Sequence, residues 1–443
     1  MNKLLLSFLS LGALFLGCQQ VPKDFNSLIK DKVKHVVVIY MENHSFDNLY
    51  GQFEGANGID SANKKIITQL DSSNKPYQYL PTIPRTDVFP TNMPNALFNI
   101  DQYVPSDQEI PDVTHAYYME RMQINGGKMD KFALHNATAG LTMGYYTTKM
   151  LPLYEIAKKY TLCDHFFHSA FGCSYLNHQW LIASATPVFP NAPEYMKAKV
   201  DSTGKLIKDG AVTPDGFAVN TVMPAKGPHS ANSKPERLLP PQTSPTIGDR
   251  LSEKGVSWAW YSGGWDDAEA GHPDPTFQFH HQAFAYYANF ADSTKGSKEH
   301  LKDEKLFLEA AKAGTLPAVS FVKPLGIDTE HPGYTNLLRG EKHALELINA
   351  VLKGPNGKDA LVILTYDENG GFWDHVAPPV IDEMGPGTRI PAILISPFTK
   401  KNFVDHTSYE TVSILSFIEH RWDLKPLTSR DAKANPFKNA FEL

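Results

Sequence analysis

Two unbroken runs of β-branched and aliphatic residues each end in a polar cluster. Val36-Val37-Val38-Ile39-Tyr40 leads into Glu42-Asn43-His44-Ser45-Phe46-Asp47, and Leu361-Val362-Ile363-Leu364-Thr365-Tyr366 leads into Asp367-Glu368-Asn369-Gly370-Gly371. Apolar runs without alternation read as strands buried on both faces, as in a sheet covered by helices. Further strand-like runs occupy 256–261, 318–322 and 392–395, and helix-like stretches fall at 153–160, 305–312, 341–352 and 410–421. In the last of these, Val412, Leu415, Ile418 and Trp422 recur at helical spacing and mark a buried face. Strands alternating with helices predict an α/β fold with a largely parallel central sheet flanked by helices. Segments 51–112 and 187–245 break the alternation and are rich in Pro, Asn, Asp and Ser. Loops of that length in a compact domain are functional excursions rather than linkers. Residues 19–443 therefore read as a single domain with insertions near 51–112 and 187–245.

Composition narrows the partners more than the fold. A chain of 443 residues with 42% hydrophobic and 20% charged content has ample core, and its length alone allows one large domain or two ordinary ones. A formal net charge of −6 and the absence of a Lys/Arg-rich block argue against nucleic acid as a partner. At the start, Lys3 precedes an apolar stretch over 4–16 and then Gly17-Cys18-Gln19. This pattern is a secretory signal over 1–18, too short to span a bilayer. Gly17-Cys18 resembles the lipobox of bacterial lipoproteins, although Phe15 and Leu16 depart from its usual residues. The expectation is an exported protein of the periplasm, outer membrane or medium, attached to a membrane if Cys18 is lipidated. No later stretch reaches the ~20 apolar residues of a membrane span. Cys163 and Cys173 remain, and an exported chain permits a disulfide between them without requiring one.

Candidate chemistry collects where the strands end. In parallel α/β sheets ligands bind at the carboxyl ends of the strands. Glu42, Asn43, Asp367 and Glu368 occupy two such ends and could converge on a hard cation. A third segment, Ser169-Ala170-Phe171-Gly172-Cys173-Ser174-Tyr175-Leu176-Asn177-His178-Gln179-Trp180, reads as a tight turn at Gly172 entering a helix. Ser174 falls at the predicted N-cap, where its hydroxyl can simply accept a backbone N–H. A hydroxyl at a helix N-terminus beside a metal could also attack phosphorus. Cys173 is the competing nucleophile, but no Arg lies between it and Trp180 to bind phosphate oxygens. His115, His280, His281 and His331 could bind metal or phosphate, or protonate a leaving alkoxide. In a strand, His280 and His281 would point to opposite faces, so one alone would meet a given site. Asp374-His375 reads as a supporting pair behind the carboxylates.

Taken together, the 42–48 segment, the 171–180 segment and Thr365-Tyr366-Asp367-Glu368-Asn369-Gly370-Gly371-Phe372-Trp373-Asp374-His375 resemble a bacterial phosphoesterase family. That family joins the respiratory-burst-inhibiting acid phosphatases to bacterial phospholipases C, on a core similar to the alkaline phosphatase/arylsulfatase fold. Gly140-Leu141-Thr142-Met143-Gly144-Tyr145-Tyr146 and Trp258-Ala259-Trp260-Tyr261-Ser262-Gly263-Gly264 look more like the acid phosphatase branch, while Cys173 departs from it. The resemblance implies that Ser174 is the nucleophile and that Glu42, Asn43, Ser174, Asp367 and Glu368 surround a divalent metal (Mg, Mn, Ca or Zn). It also implies that Asn43, His115, His280, His281 and His331 line the phosphate pocket, with the imidazoles as catalytic acids. The expected activity is an acid phosphatase acting through a phosphoserine. Phospholipase C action on head groups such as phosphatidylcholine is the alternative, so the partners are phosphate-ester small molecules or phospholipids. A non-catalytic metal- or solute-binding lipoprotein would explain the acidic cluster and export, but gives no reason for the Ser174 hydroxyl.

Overall fold

The protein's structure, a computed structural model, describes residues 24–202 and 204–442. The predicted signal segment and Cys18 lie outside the described residues. The central sheet has eight strands: β1 (His35–Met41), β2 (Thr161–Cys163), β3 (Trp258–Ser262), β4 (Leu301–Asp303), β5 (Val319–Lys323), β6 (Ala360–Tyr366), β7 (Ala392–Ile395) and β8 (Phe403–Asp405). They lie in the order β4-β3-β5-β1-β6-β7-β2-β8. β7 runs antiparallel to β6 and β2, and every other neighbouring pair is parallel. The α/β class with a largely parallel sheet is therefore present.

The two apolar runs are central neighbours because they are buried on both faces. Along β1 and β6 every residue but His35 is buried. Their pairing runs in register from His35↔Ala360 to Met41↔Tyr366. Glu42 and Asp367, the next residues on each strand, thus leave the sheet side by side. On the other flank of β1, Ile39 pairs with Val322, which brings Lys323 to the same edge.

Four helices support this edge: α1 (Ser174–Ala183), α2 (Glu304–Ala313), α3 (Leu337–Lys353) and α4 (Thr411–Trp422). All of α1 is buried, and it packs on α4 and lies over β1, where the Tyr40 hydroxyl donates to Asn177 O at 3.3 Å. α2 and α3 pack together, and α3 also contacts β1 and β6. The amphipathic pattern of α3 extends further back than the expected start at 341. Asn336 caps it by accepting the Arg339 N–H at 3.0 Å.

Several expectations shift. β3 starts at Trp258 rather than 256, and β2, β4 and β8, each three residues long, have no signal of their own in the sequence. The 51–112 segment carries little regular structure, yet Leu80, Ile83, Phe89 and Ile100 are buried in the common core. The 187–245 segment contains two short strand pairs, Lys199–Val200 with Leu206–Lys208 and Met223–Pro224 with Leu238–Leu239. Cys163 and Cys173 are both buried free thiols, so the disulfide does not form. Among the described residues, no helix is long and apolar enough to cross a membrane.

Candidate active site

The turn before α1 is dictated by Gly172. Its φ is +79°, and a β-carbon there would collide with the backbone of Tyr117. The helix N-cap is Cys173, not Ser174, and it makes no side-chain capping bond. Ser174 is the first helical residue. Its hydroxyl therefore satisfies no helix N–H; it donates to Glu42 Oε2 at 3.0 Å and lies 3.4 Å from Asn43 Oδ1. The cap reading of Ser174 falls with this geometry. Cys173 turns its thiol toward Val219 O at 3.4 Å, and burial pushes its pKa up to about 11. A thiol so held is a poor nucleophile at neutral pH.

Asn43 sits at φ +65°, a left-handed conformation that non-glycine residues rarely adopt. This places its backbone N–H on Asp367 Oδ1 at 3.2 Å and its side chain beside both Ser174 and His115. Asp367 Oδ1 also accepts the Glu368 N–H at 2.8 Å. Glu368 Oε2 accepts the Gly370 N–H at 2.6 Å. The opposite oxygens, Asp367 Oδ2 and Glu368 Oε1, are buried with no hydrogen bond of normal length. Burial, and then the charge of Glu42, raise Asp367 to about 7; burial and Asp367 push Glu368 well above the carboxylate range.

These oxygens test whether a divalent ion fits. Ser174 Oγ lies beside Glu42 Oε2 and Asn43 Oδ1, and Asp367 and Glu368 at the neighbouring strand end each have a buried, unpartnered oxygen, so the donors on offer are all oxygen. That chemistry suits a hard divalent cation. The convergence is looser than the sequence suggested. The ligand atoms of Glu42, His178 and His281 lie within 4.8 Å of one another, but Asp367 and Glu368 stand outside that group.

Of the four expected histidines, His281 meets the carboxylate that receives the Ser174 hydroxyl, with Nε2 2.9 Å from Glu42 Oε1. His280 and His281 lie in a 3-10 turn, Phe279–His281, rather than a strand. Their rings are 4.6 Å apart, and both approach His178, so the opposite-face expectation fails. His115 Nε2 lies 3.3 Å from Asn43 Nδ2 and 3.9 Å from Glu368 Oε1, while its Nδ1 is tied to Val113 O at 2.5 Å. His331 packs against His115 at 5.4 Å between ring centroids. Burial lowers His281 to about 4, and lowers His280 and His331 as well. These three imidazoles are neutral at neutral pH in the resting protein. A charged acid among them requires a substrate anion to raise it.

The sequence reading passed over two residues at the centre. His178 is one turn after Ser174 on α1, a spacing that puts both on one helix face. Its Nδ1 is 2.7 Å from Ser174 O, and its ring stacks on His281 at 5.1 Å. Lys323 ends β5 as Glu42 follows β1 and Asp367 follows β6, a polar residue closing an apolar run. It is completely buried, and its ammonium is paired with Glu42 Oε1. Burial pushes Glu42 up, but His281 and Lys323 outweigh it and hold the carboxylate well below its ordinary range.

Behind the site, Arg389 is fully buried and binds Asp374 Oδ1 at 2.8 Å and Asp47 Oδ1 at 2.9 Å. Asp47 Oδ2 in turn takes the His375 ring and backbone N–H. Asp374 and His375 thus support the polar clusters from behind, and Arg389 joins the two clusters. Nothing in the local sequence around Arg389 marks it for this role.

The chain is similar to several known proteins. Phospholipase C B of Mycobacterium tuberculosis is 24% identical over 452 residues, covering 92% of this chain and 77% of the relative. Non-hemolytic phospholipase C of Pseudomonas aeruginosa is also 24% identical, covering 89% of this chain and 54% of its own. Non-specific phospholipase C1 of Arabidopsis thaliana is 25% identical, with 94% and 72% covered. Among solved structures, the PsFucS1 sulfatase of a Pseudoalteromonas species matches 90% of this chain and 70% of its own with a TM-score of 0.38 and 10% identity. An alkaline phosphatase superfamily protein of Vibrio parahaemolyticus matches 74% and 78% with a TM-score of 0.34 and 11% identity. The Phosphoesterase family model matches residues 33–425, which takes in every polar cluster described above. The chain belongs to the Phosphoesterase family and is a hydrolase of phosphate esters.

Proposed function

We propose that the chain is a metal-dependent phosphoester hydrolase that works through a phosphoserine at Ser174, with phospholipid head-group esters as its substrate. The observation that carries the chemistry is the Ser174 hydroxyl, released from capping and held 3.0 Å from Glu42 at the strand end. Glu42, Asn43, Ser174, Asp367 and Glu368 would hold the divalent ion. When bound, that ion supplies a lowered hydroxyl pKa and neutralisation of phosphoryl charge. Glu42 aims the hydroxyl; held strongly anionic by Lys323 and His281, it is too weak a base to keep the proton. As Ser174 Oγ attacks phosphorus its proton passes to a neutral pocket imidazole, and the imidazolium so formed returns that proton to the leaving alcohol. Water then hydrolyses the phosphoserine. Asn43 and His115 donate to the non-bridging oxygens, and His280, His281 and His331 complete the pocket.

Phospholipase C action is supported by relatives of that name aligned over about nine-tenths of the chain. A phosphomonoesterase, the acid phosphatase reading, is favoured by the imidazole-rich surroundings of Ser174, which suit a dianion. Turnover of p-nitrophenylphosphorylcholine and phospholipid micelles against p-nitrophenyl phosphate separates the two. A preference for the diester and the micelles supports phospholipase C, and exclusive cleavage of the monoester overturns it. Chelation should abolish turnover of every substrate and a divalent ion should restore it; full activity in metal-free protein would contradict the metal requirement. The 4–16 stretch and Gly17-Cys18 support export with a lipid on Cys18. Palmitate labelling that is lost in Cys18→Ser checks this.

A further inference from the structure

Glu42, His178 and His281 are all buried, and their ligand atoms lie within 4.8 Å of one another. One carboxylate and two imidazoles are a donor set that zinc takes readily. His178 Nδ1 lies 2.7 Å from Ser174 O, while its Nε2 is buried with no hydrogen-bond partner. Beside this pocket stands the Lys323 ammonium, paired with Glu42 Oε1, the oxygen that His281 also approaches. Lys323 and His281 thus meet on one carboxylate oxygen, and the His178 ring stacks on His281 at 5.1 Å.

We propose that Lys323 is a built-in cation filling a second, inner cation pocket made by Glu42, His178 and His281. It acts as a positioning residue: by taking Glu42 Oε1 it leaves Oε2 facing Ser174. It also sets the charge of the centre. Once a bound divalent ion has ionised Glu42, Asp367 and Glu368, their three negative charges are balanced by that ion and the one ammonium. A second ion in the inner pocket would have to share Glu42 with the ammonium at very short range, where repulsion in a dry interior is severe. The proposal rests on the metal-dependent reading of the outer oxygen set, and holds for either class of ester.

The test counts metal rather than turnover. Purified protein is stripped, loaded with Zn²⁺ alone, dialysed and analysed for zinc per chain. The wild type should hold one ion. Lys323→Met, which keeps the apolar stem and removes the charge, should hold two, and Lys323→Met combined with His281→Gln should return to one. Two ions in the wild type, or one in folded Lys323→Met, would overturn the proposal while leaving the metal-dependent reading intact. No ion in the wild type would overturn both. If Lys323→Met does not fold, anomalous scattering from zinc-soaked wild-type crystals decides. A single peak beside Ser174 and Asp367 supports the proposal, and a peak among Glu42, His178 and His281 refutes it.

Discussion

Ser174 and Cys173 differ by one position along the chain and by nearly everything else in environment. Ser174→Ala should reduce kcat on the order of a thousandfold or more. Cys173→Ser should keep most of the activity, because its thiol faces Val219 and not the pocket. Steady-state rates on p-nitrophenyl phosphate and on a diester check both; substantial turnover by Ser174→Ala would reverse the assignment. At this scale much of the site could be read from the sequence, because Glu42, Asn43, Asp367 and Glu368 announce themselves as polar residues closing apolar runs. The same rule would have found Lys323, and helical spacing from Ser174 would have found His178. Lysine at a strand end reads by default as a solvated terminus, and only the register with β1 shows it buried. Arg389 carried no such signal, since its partners Asp47 and Asp374 come from segments far apart in sequence.

At the scale of elements, long buried strands were legible and short ones were not. Unbroken apolar runs define β1 and β6, whereas three residues in β2, β4 and β8 are too few for any periodicity to rise above its surroundings. Turns that fix the active loops depend on particular backbone conformations. Gly370 sits at φ +62°, and a β-carbon there would strike the Asn43 carbonyl. Gly370→Ala should therefore cost about 1–3 kcal/mol of stability. It should also lower kcat beyond that loss, because displacing Asn43 moves the partner of both Ser174 and Asp367. Denaturant unfolding with parallel kinetics checks this, and a variant with wild-type stability and rate would show that the loop is not held so tightly.

At the scale of the molecule, buried acids away from the phosphate pocket set the response to pH. Burial raises Glu341 to about 8, and burial together with Glu341 drives Glu330 well above its ordinary range. A carboxyl whose folded pKa lies above its unfolded value stabilises the fold at low pH. That stability is lost as pH rises from the unfolded value near 4.5 through about 8. Thermal unfolding should show the Tm falling across that window. Glu341→Gln, which mimics the protonated acid, should flatten the fall by an amount on the order of a few kcal/mol in stability. An unchanged slope in the variant would place the titration elsewhere. The eight-stranded sheet has a different consequence for the protein at high concentration. Its outermost strands are β4 and β8, and each offers only three residues of backbone. β4 also carries Lys302 at its centre. Edges this short give another chain too little ladder to extend. The molecule can thus keep a broad, strongly apolar sheet without presenting a template for strand-by-strand self-association.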